Sequence, residues 1–473
     1  MDVEHFSKLV SIASRAIYSS RYFVMTFFTD RSNVRTEIQE FLKLAIPLVS
    51  AQLAQSVTGF ADTVVMGRLG QDTLAAGGLA SITFMTLLNT ATSMVVGVSP
   101  LVAAAHGAGD KLQVTQITRQ GLWISVVLTI SLMPIVGNLD ALMLHLGQTS
   151  RTAFLANEYL DVALWGIFPA LGFTVLRSLV ASVFQARPVM VIAIAWTLFD
   201  IVGNYALGLG MFGFPKMGLV GLALTSALSF WGRFLSLIVY ILWHKQLKTY
   251  CIFQSLHQIK PFIIRQLLWL GAPIGIATAI EYGMFNVVTF LMGALGTEIL
   301  AAHQIVLQTV GIFYMIPLGM SYATTVRVGQ WFGQHNIKAA KQAGYISMVL
   351  GAGVMTLIAI AVLIFPQHIV GLFIDLRDPA NAKVLSIAVP MLFVVASGEI
   401  VDGVQRTANG ALQGLQDTRI PMLLSFFAYW GVGLTSGYLL GFQFGLGGVG
   451  LWIGQAIGLG VASIAFIWRF RQL

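Results

Sequence analysis

The sequence is poor in charge. Of its 473 residues only 10% are charged, whereas 57% are hydrophobic, and the mean hydropathy is +0.81. A soluble domain carries about 25% charged residues, which keep its surface in contact with water. This chain has too little polar surface for such a fold, so its composition predicts a polytopic membrane protein.

Cysteine and the common catalytic motifs are also scarce. Cys251 is the only cysteine, so no intramolecular disulfide can form. The 8 histidines are scattered without metal-ligand spacing, and neither a His-Glu-x-x-His nor a Gly-x-Ser-x-Gly motif occurs. These absences argue against a disulfide-rich secreted protein, a zinc enzyme and a serine hydrolase. We therefore predict no enzymatic activity and no organic cofactor.

Two stretches of the chain repeat each other. The first begins at Pro47 and the second at Pro273, and at this fixed offset seven residues between Met66 and Ala76 are identical to their counterparts. The identical pairs are Met66 with Met292, Gly67 with Gly293, Leu69 with Leu295, Gly70 with Gly296, Leu74 with Leu300, Ala75 with Ala301 and Ala76 with Ala302. A match without gaps indicates two homologous halves, which in membrane transporters commonly flank the transport site.

Twelve stretches are apolar over the roughly 20 residues that a helix needs to cross a bilayer. The predicted spans are 42–66, 79–104, 120–138, 158–182, 189–211, 218–243, 268–293, 303–327, 342–365, 383–410, 420–441 and 447–468. The predicted organisation is a cytoplasmic leader at 1–40, a first lobe at 41–243, a link at 244–267 and a second lobe at 268–473. The predicted fold is therefore an all-α polytopic membrane protein, with two homologous six-helix bundles related by a pseudo-two-fold axis along the membrane normal.

Lysine and arginine are distributed unevenly between the two ends of these spans. With the N-terminus inside, 21 of the 27 lie in cytoplasmic segments or at cytoplasmic span ends, 5 lie outside, and Arg233 lies within a span. The positive-inside rule then predicts a plasma (inner) membrane protein with both termini cytoplasmic. The same rule accounts for the net charge of +8, so we expect no nucleic-acid partner.

Five carboxylates fall deep inside predicted spans, namely Asp62, Asp200, Glu281, Glu399 and Asp402. A charge at mid-membrane costs about 2.5–3.5 kcal/mol even on insertion scales, so each needs a function or a partner. A low dielectric favours the protonated carboxyl, and hard ions such as Na⁺ bind oxygen ligands, so either chemistry suits ion coupling. The alternative is a carboxylate that a neighbouring helix neutralises permanently.

Polar neighbours extend these positions into clusters. Glu399 and Asp402 are three residues apart and share a helix face, and Asp200 and Asn204, four apart, also face one way. Aromatic residues on the second-half spans either face lipid or form an adaptable surface for apolar cations. The residues predicted to line a substrate cavity are Asp62, Gln55, Asp200, Asn204, Tyr282, Asn286, Phe313 and Tyr314.

Two sequence motifs in the second half are typical of a known family. They are VDGVQRTANGALQGLQDTRIP at Val401–Pro421 and AAHQIVLQ at Ala301–Gln308. Together with the repeat and the twelve spans, they resemble the MATE (multidrug and toxic compound extrusion) family, in particular its NorM-like branch. The likeness runs from Glu40 to the C-terminus. It implies two six-helix lobes in a V around a central cavity. It also implies a cation-coupled antiporter, driven by Na⁺ or H⁺, that exports mainly cationic amphipathic compounds by alternating access.

The resemblance also implies positions for the coupling ion. The family's second-lobe cation site falls on Glu281 and Asp402, which would also be the ligands of Na⁺, and its first-lobe acid falls on Asp62. NorM-like proteins often carry a tyrosine four residues before the span-10 aspartate. Here that position is Gly398, and the neighbouring Glu399 could add a carboxylate oxygen. We expect small organic cations and membrane lipid as partners, and a monomer.

Two other functions stay open at this point. A lipid-linked sugar flippase of the same wider superfamily would need a strongly cationic cavity to hold pyrophosphate, whereas Arg233 is the only basic residue that we place well inside a span. An intramembrane hydrolase would need a His-Glu-x-x-His, a Gly-x-Ser-x-Gly or a paired aspartyl motif. The first two are absent from the chain, and a Gly-x-Asp arrangement does not decide the third.

Overall fold

The computed structural model describes residues 31–145, 149–183 and 185–473, and within these ranges twelve helical spans are long and apolar enough to cross a membrane. Spans 1 to 6, the first lobe, are Arg31–Leu69, Gln71–Val96 continued by Val98–Gly107, Lys111–Val136, Ser150–Ala163 continued by Ile167–Ser182, Ala186–Gly203 continued by Asn204–Gly208, and Gly218–Trp243. Spans 7 to 12, the second lobe, are Pro261–Leu295, Thr297–Gly333, Ile337–Ile364, Ala382–Gly414, Arg419–Phe426 continued to Gln443, and Gly447–Gln472. The predicted all-α fold with twelve spans is confirmed.

Many helices are longer than the apolar stretches that predict them. Span 1 begins at Arg31 rather than at residue 42, and span 7 begins at Pro261 rather than at residue 268. Polar residues at a helix end lower the local hydropathy, but the backbone hydrogen bonds continue into the aqueous layer, so the helix extends beyond the hydrocarbon. Residues 1–30 of the predicted leader lie outside the described residues, and residues 31–40 form the start of span 1.

The two lobes pack their helices in the same pattern. Span 1 packs against span 5 and span 7 against span 11, and likewise span 4 packs against span 6 and span 10 against span 12. Span 3 packs against span 4 as span 9 packs against span 10. The internal repeat of the sequence is therefore also a repeat of helix contacts.

The turn between the first two spans of each lobe depends on a glycine. Gly70 has φ +126° and ψ 167°, and Gly296 has φ +132° and ψ 160°. This backbone region is accessible essentially only to glycine, because a Cβ atom would clash with the main chain. The identity of these two residues in the sequence repeat thus follows from a shared backbone conformation.

The polar link between the lobes is docked on span 3. Thr115 donates to the Tyr250 carbonyl at 2.7 Å, Arg119 Nε donates to the Ile252 carbonyl at 2.8 Å, and Trp123 Nε1 donates to the Leu256 carbonyl at 2.7 Å. The three donors are four residues apart, so they form one stripe along the helix. The link is therefore held as part of the first lobe.

We call the end of the molecule where span 2 ends at Gly107 and span 8 ends at Gly333 the proximal end. Here a buried ion pair joins the lobes, with Arg327 Nη2 and Nε donating to the two Glu37 carboxylate oxygens at 2.5 and 2.8 Å. Gln330 Nε2 adds a hydrogen bond to the Ser182 carbonyl at 2.7 Å. These contacts between spans 1, 4 and 8 hold the two lobes together at this end.

Glycines allow the helices of the two lobes to approach closely in the same half of the molecule. A methyl group added to Gly97 would lie 2.7 Å from Gly271 Cα, and one added to Gly319 would lie 2.6 Å from Val49 Cα. Real Cβ atoms do not approach other atoms this closely, so larger residues would force the lobes apart. At these two positions the backbones of the two lobes are therefore in direct contact.

Candidate functional site

A central cavity of about 320 Å³ lies between the two lobes. Its described walls come from spans 1, 2, 4, 5 and 6 of the first lobe and from spans 7, 8, 10 and 11 of the second. A volume of this size lies at the lower end of the roughly 300–1,000 Å³ typical of sites for drug-sized molecules.

The charges that line the central cavity are balanced. The carboxylates are Asp62, Asp200 and Glu281, and the guanidinium groups are Arg177, Arg233 and Arg406. The prediction that Arg233 is the only basic residue well inside a span is therefore wrong. Arg177 and Arg406 lie near the ends of their helices, but a helical side chain leans toward the helix N-terminus, which here directs both arginines back toward the middle of the molecule.

The first-lobe carboxylates are held by neighbouring polar groups. Asp62, only 4% exposed, accepts a hydrogen bond from Asn204 Nδ2 at 2.5 Å. Asp200 accepts one from Ser226 Oγ at 3.5 Å, and Arg233, whose Nη2 donates to Thr197 Oγ1 at 3.2 Å, lines the same cavity as both carboxylates. Asn204 begins the π-helical turn Asn204–Gly208 in span 5, a local irregularity that is frequent at functional sites.

In the second lobe Arg406 stands between two carboxylates. It forms a buried ion pair with Glu281 of span 7, and its Nε donates to Asp402 Oδ1 at 3.3 Å within span 10. The guanidinium also lies over the ring of Tyr314, at 4.4 Å from the centroid. The two acids that the family resemblance marks as the cation site thus share an internal counter-ion.

A smaller side cavity of about 80 Å³ lies inside the second lobe. Glu281, Glu399, Asp402 and Arg406 line it, so carboxylates outnumber guanidinium groups three to one. Gln455 lines it too, and both amide atoms of this buried side chain have no hydrogen-bond partner. Unpartnered buried amides are rare, and this one offers a carbonyl oxygen to an ion that enters. The side cavity and the central cavity share the wall made by Glu281 and Arg406.

The other residues predicted for the cavity differ in where the structure places them. Gln55, Tyr282 and Tyr314 line the central cavity. Asn204 lines neither cavity but holds Asp62, as described above. Asn286 is exposed, and Phe313 packs against the hydrophobic core of the second lobe, so neither lines a described cavity. The prediction for Asn286 rested on its proximity to Glu281 in sequence, and that for Phe313 on its aromatic side chain. Neither property fixes the face that a helical residue presents.

The residues that line the cavities but were not predicted from the sequence include Arg177, Arg406, Tyr429 and Gln455. One signal could have found two of them, because Arg177 and Arg406 are separated by the same offset that relates Gly218 to Gly447 in the repeat. Tyr429, which accepts a hydrogen bond from Gln405 at 2.9 Å, and Gln455 carry no comparable signal.

The MatE family model matches residues 47–206 and 273–439, which is more than half of the chain. The two matched stretches begin at Pro47 and Pro273, where the sequence repeat also begins. The chain belongs to the MATE family. This MATE protein is accordingly a multi-pass membrane transporter and not an enzyme, and the resemblance stated from the sequence is confirmed.

Individual relatives are similar over nearly the whole chain. A Synechocystis protein named "Probable multidrug resistance protein NorM" is 54% identical over 449 residues, covering 95% of this chain and 97% of its own. Two solved structures share the fold. The eukaryotic MATE transporter AtDTX14 has a TM-score of 0.83 at 19% identity, covering 93% of this chain and 97% of its own. An outward-facing multidrug resistance MATE transporter has a TM-score of 0.84 at 21% identity, covering 92% and 96%.

Proposed function

We propose that this MATE transporter is a cation-coupled antiporter that exports organic, mainly cationic and amphipathic, drugs and toxic compounds, with Na⁺ or H⁺ as the driving ion. The observation that carries the proposal is the shared wall of Glu281 and Arg406 between the side cavity and the central cavity. An ion in the side cavity and a substrate in the central cavity would act on the same two side chains. The two ligands would therefore compete, which is what antiport requires.

The side cavity suits a small cation. Its three carboxylates face one guanidinium, and excess negative charge in a dry site favours uptake of H⁺ by a carboxyl or of Na⁺ by oxygen ligands. In the arrangement seen here, no three acidic, histidine or cysteine side chains of the described residues are grouped closely enough to hold a metal ion. Binding of Na⁺ would therefore require Arg406 to move away from Glu281 and Asp402.

The central cavity suits an organic amphiphile. Tyr282, Tyr314 and Tyr429 line it together with Met315 and other apolar side chains. Aromatic faces attract organic cations, and methionine adapts to varied shapes, which fits a broad range of substrates. The names given to the relatives as multidrug resistance proteins support the same substrate class.

The positive-inside distribution supports a plasma (inner) membrane protein whose proximal end faces the cytoplasm. The loops between spans 2 and 3 and between spans 8 and 9 both lie at this end and carry Lys111 and Lys338 at the helix starts. The ion pair between Glu37 and Arg327 closes the lobes on the same side. The arrangement would then be the one that is closed to the cytoplasm.

Transport in proteoliposomes tests the proposal. An ethidium-like dye is loaded, and an inward Na⁺ gradient or an inward H⁺ gradient is imposed separately at a clamped membrane potential. We expect at least one gradient to drive dye export above the rate without a gradient. If neither does so, the antiport mechanism is refuted, although the MATE fold stands.

One observation favours the flippase alternative, namely that three arginines rather than one line the central cavity. Three carboxylates oppose them, so the cavity is not strongly cationic, and we retain the antiporter as the proposal. A screen that compares organic cations with organic anions, including a lipid-linked pyrophosphate, separates the two functions. Anions as the best transported compounds would favour the flippase.

A further inference from the structure

Arg177 of span 4 is a buried arginine that forms no ion pair with a described residue. It is 9% exposed and lines the central cavity. Its Nη1 donates to Gln52 Oε1 at 2.9 Å, and its guanidinium lies over the ring of Tyr322 in the second lobe, 4.7 Å from the centroid. Neither of these partners carries a negative charge.

Two of the other three arginines that are buried among the described residues form ion pairs, Arg327 with Glu37 and Arg406 with Glu281 and Asp402. Arg233 donates to Thr197 Oγ1 at 3.2 Å and lines the same cavity as Asp62 and Asp200. A buried charge without a counter-ion is unfavourable, and a guanidinium has five N–H donors, of which Gln52 uses one. Arg177 is thus equipped to bind an anionic group that enters the cavity.

We propose that Arg177 binds the carboxylate of a zwitterionic, amphipathic substrate whose cationic group faces the carboxylates of the same cavity. This inference rests on the proposed function and assigns a specificity-determining residue to it. The planar guanidinium can hold a carboxylate through two parallel hydrogen bonds, which a lysine cannot do.

The balance of charge in the cavity favours a zwitterion over a simple ion. A simple cation would be attracted by Asp62 and Glu281 but repelled by Arg177. A simple anion would be repelled by the two carboxylates. A molecule that carries both charges can satisfy both sides, because opposite charges are paired in a region of low dielectric. An anionic lipid headgroup offers the same chemistry to Arg177, so the experiment must separate the two sources.

Two dyes with one ring system provide the test, namely a rhodamine methyl ester, which is a cation, and the corresponding rhodamine free acid, which is a zwitterion. Their dissociation constants are measured on the purified full-length protein. We expect Arg177→Gln to weaken binding of the free acid on the order of tenfold or more, since a charged bidentate contact is lost. Binding of the ester should stay constant or tighten.

Matched variants exclude a merely structural role. Gln52→Ala removes the hydrogen bond to Arg177 but keeps its charge, so the preference between the two dyes should persist. Equal weakening of both dyes in Arg177→Gln, or no weakening of the free acid, would overturn the inference. If Arg177→Gln does not fold, Arg177→Lys takes its place, and an unchanged preference for the free acid in that variant overturns the inference as well.

Two further measurements identify the source of any failure. Mass spectrometry of the purified protein shows whether an anionic phospholipid is bound in the wild type and lost in Arg177→Gln. That result with an unchanged dye preference would assign Arg177 to lipid and overturn the inference. Ester export by the wild type in proteoliposomes reports separately on the proposed function, which fails if neither dye is exported.

Discussion

At the scale of single residues, Arg406 determines what the second-lobe acids can do. It pairs with Glu281 and with Asp402 and is itself buried. A buried ion pair is balanced by its own charges, whereas removal of one partner leaves a charge uncompensated. An entering cation must therefore compete with the Arg406 guanidinium for these two carboxylates.

We predict that Arg406→Gln makes the stability of the protein dependent on Na⁺. Loss of one partner of a buried ion pair costs about 3–5 kcal/mol, and the freed carboxylates can regain part of this by binding Na⁺. The Tm of the purified variant should be lower than that of the wild type. It should rise as Na⁺ replaces choline at constant ionic strength. The wild type should respond less.

Arg469→Gln is the matched control, because it breaks an ion pair with Asp417 at 2.7 Å that lines neither described cavity. Its Tm should be insensitive to Na⁺. If Arg406→Gln were equally insensitive, the freed carboxylates would not form a Na⁺ site.

The carboxylates themselves provide a second prediction. Glu281→Gln and Asp402→Asn should each abolish gradient-driven export in proteoliposomes while membrane insertion remains normal, since an amide keeps the shape of the side chain but cannot carry the charge. Glu40→Gln removes a carboxylate from an exposed pair with Lys43 and should export at the wild-type rate. Export at the wild-type rate by both cavity variants would exclude this pair as the coupling site.

At the scale of secondary-structure elements, the same helix of each lobe is irregular. Span 5 contains the π-helical turn Asn204–Gly208, and span 11 contains Phe427–Leu434 and Leu439–Gln443. Each irregular segment carries a residue of the site, Asn204 beside Asp62 and Tyr429 beside Gln405. The wider turns displace backbone groups and thereby aim these side chains.

The two repeat glycines give a prediction for the helix connections. Gly70→Ala and Gly296→Ala should each lower the free energy of unfolding by about 1–3 kcal/mol, because alanine is strained in their backbone conformation. Gly67→Ala is the control. It lies in the helix with no atom within 4 Å of an added methyl group, so it should be neutral or slightly stabilising. Thermal unfolding in detergent measures all three, and equal behaviour of Gly67 and Gly70 variants would contradict the prediction.

At the scale of the whole molecule, alternating access requires the proximal interface to open. That interface contains one bidentate ion pair, Glu37 with Arg327, and close backbone contacts at Gly97 and Gly319. Removal of charge from the ion pair should favour separation of the lobes, because the tight helix contacts alone must then hold the closed state.

We therefore predict that Glu37→Gln increases the population with separated lobes. Spin labels at exposed Lys111 and Lys338, introduced as cysteines in a Cys251→Ser background, report the distance between the proximal ends of the two lobes. The distance distribution should shift to larger values in Glu37→Gln. Glu40→Gln, one turn along the same helix, should leave it unchanged, and a shift in both variants would point to a general loss of stability.

Competition between ion and substrate is the last prediction at this scale. Because both cavities share Glu281 and Arg406, binding of the coupling cation should weaken dye binding with a coupling free energy on the order of 1–3 kcal/mol, and reciprocally. Dye titrations across Na⁺ concentration and across pH measure it. Dye affinity that neither ion changes would eliminate the competition model.

The sequence by itself determined the architecture. Hydropathy located twelve spans, and the repeat from Pro47 and Pro273 divided them into two equivalent lobes. It also located the carboxylates that the two cavities expose, because a charge within an apolar run is costly and therefore conspicuous. These properties depend on local composition and on order along the chain, which the sequence contains directly.

Only the tertiary structure decided how the charges are paired. Arg406 forms an ion pair with Glu281 of another helix, Asn204 donates a hydrogen bond to Asp62 of another helix, and Arg177 forms no ion pair among the described residues. A helical residue has a fixed position in the sequence, but its partners depend on how the helices rotate and pack against each other. The net charge of the cavity, and with it the class of substrate, depends on those contacts.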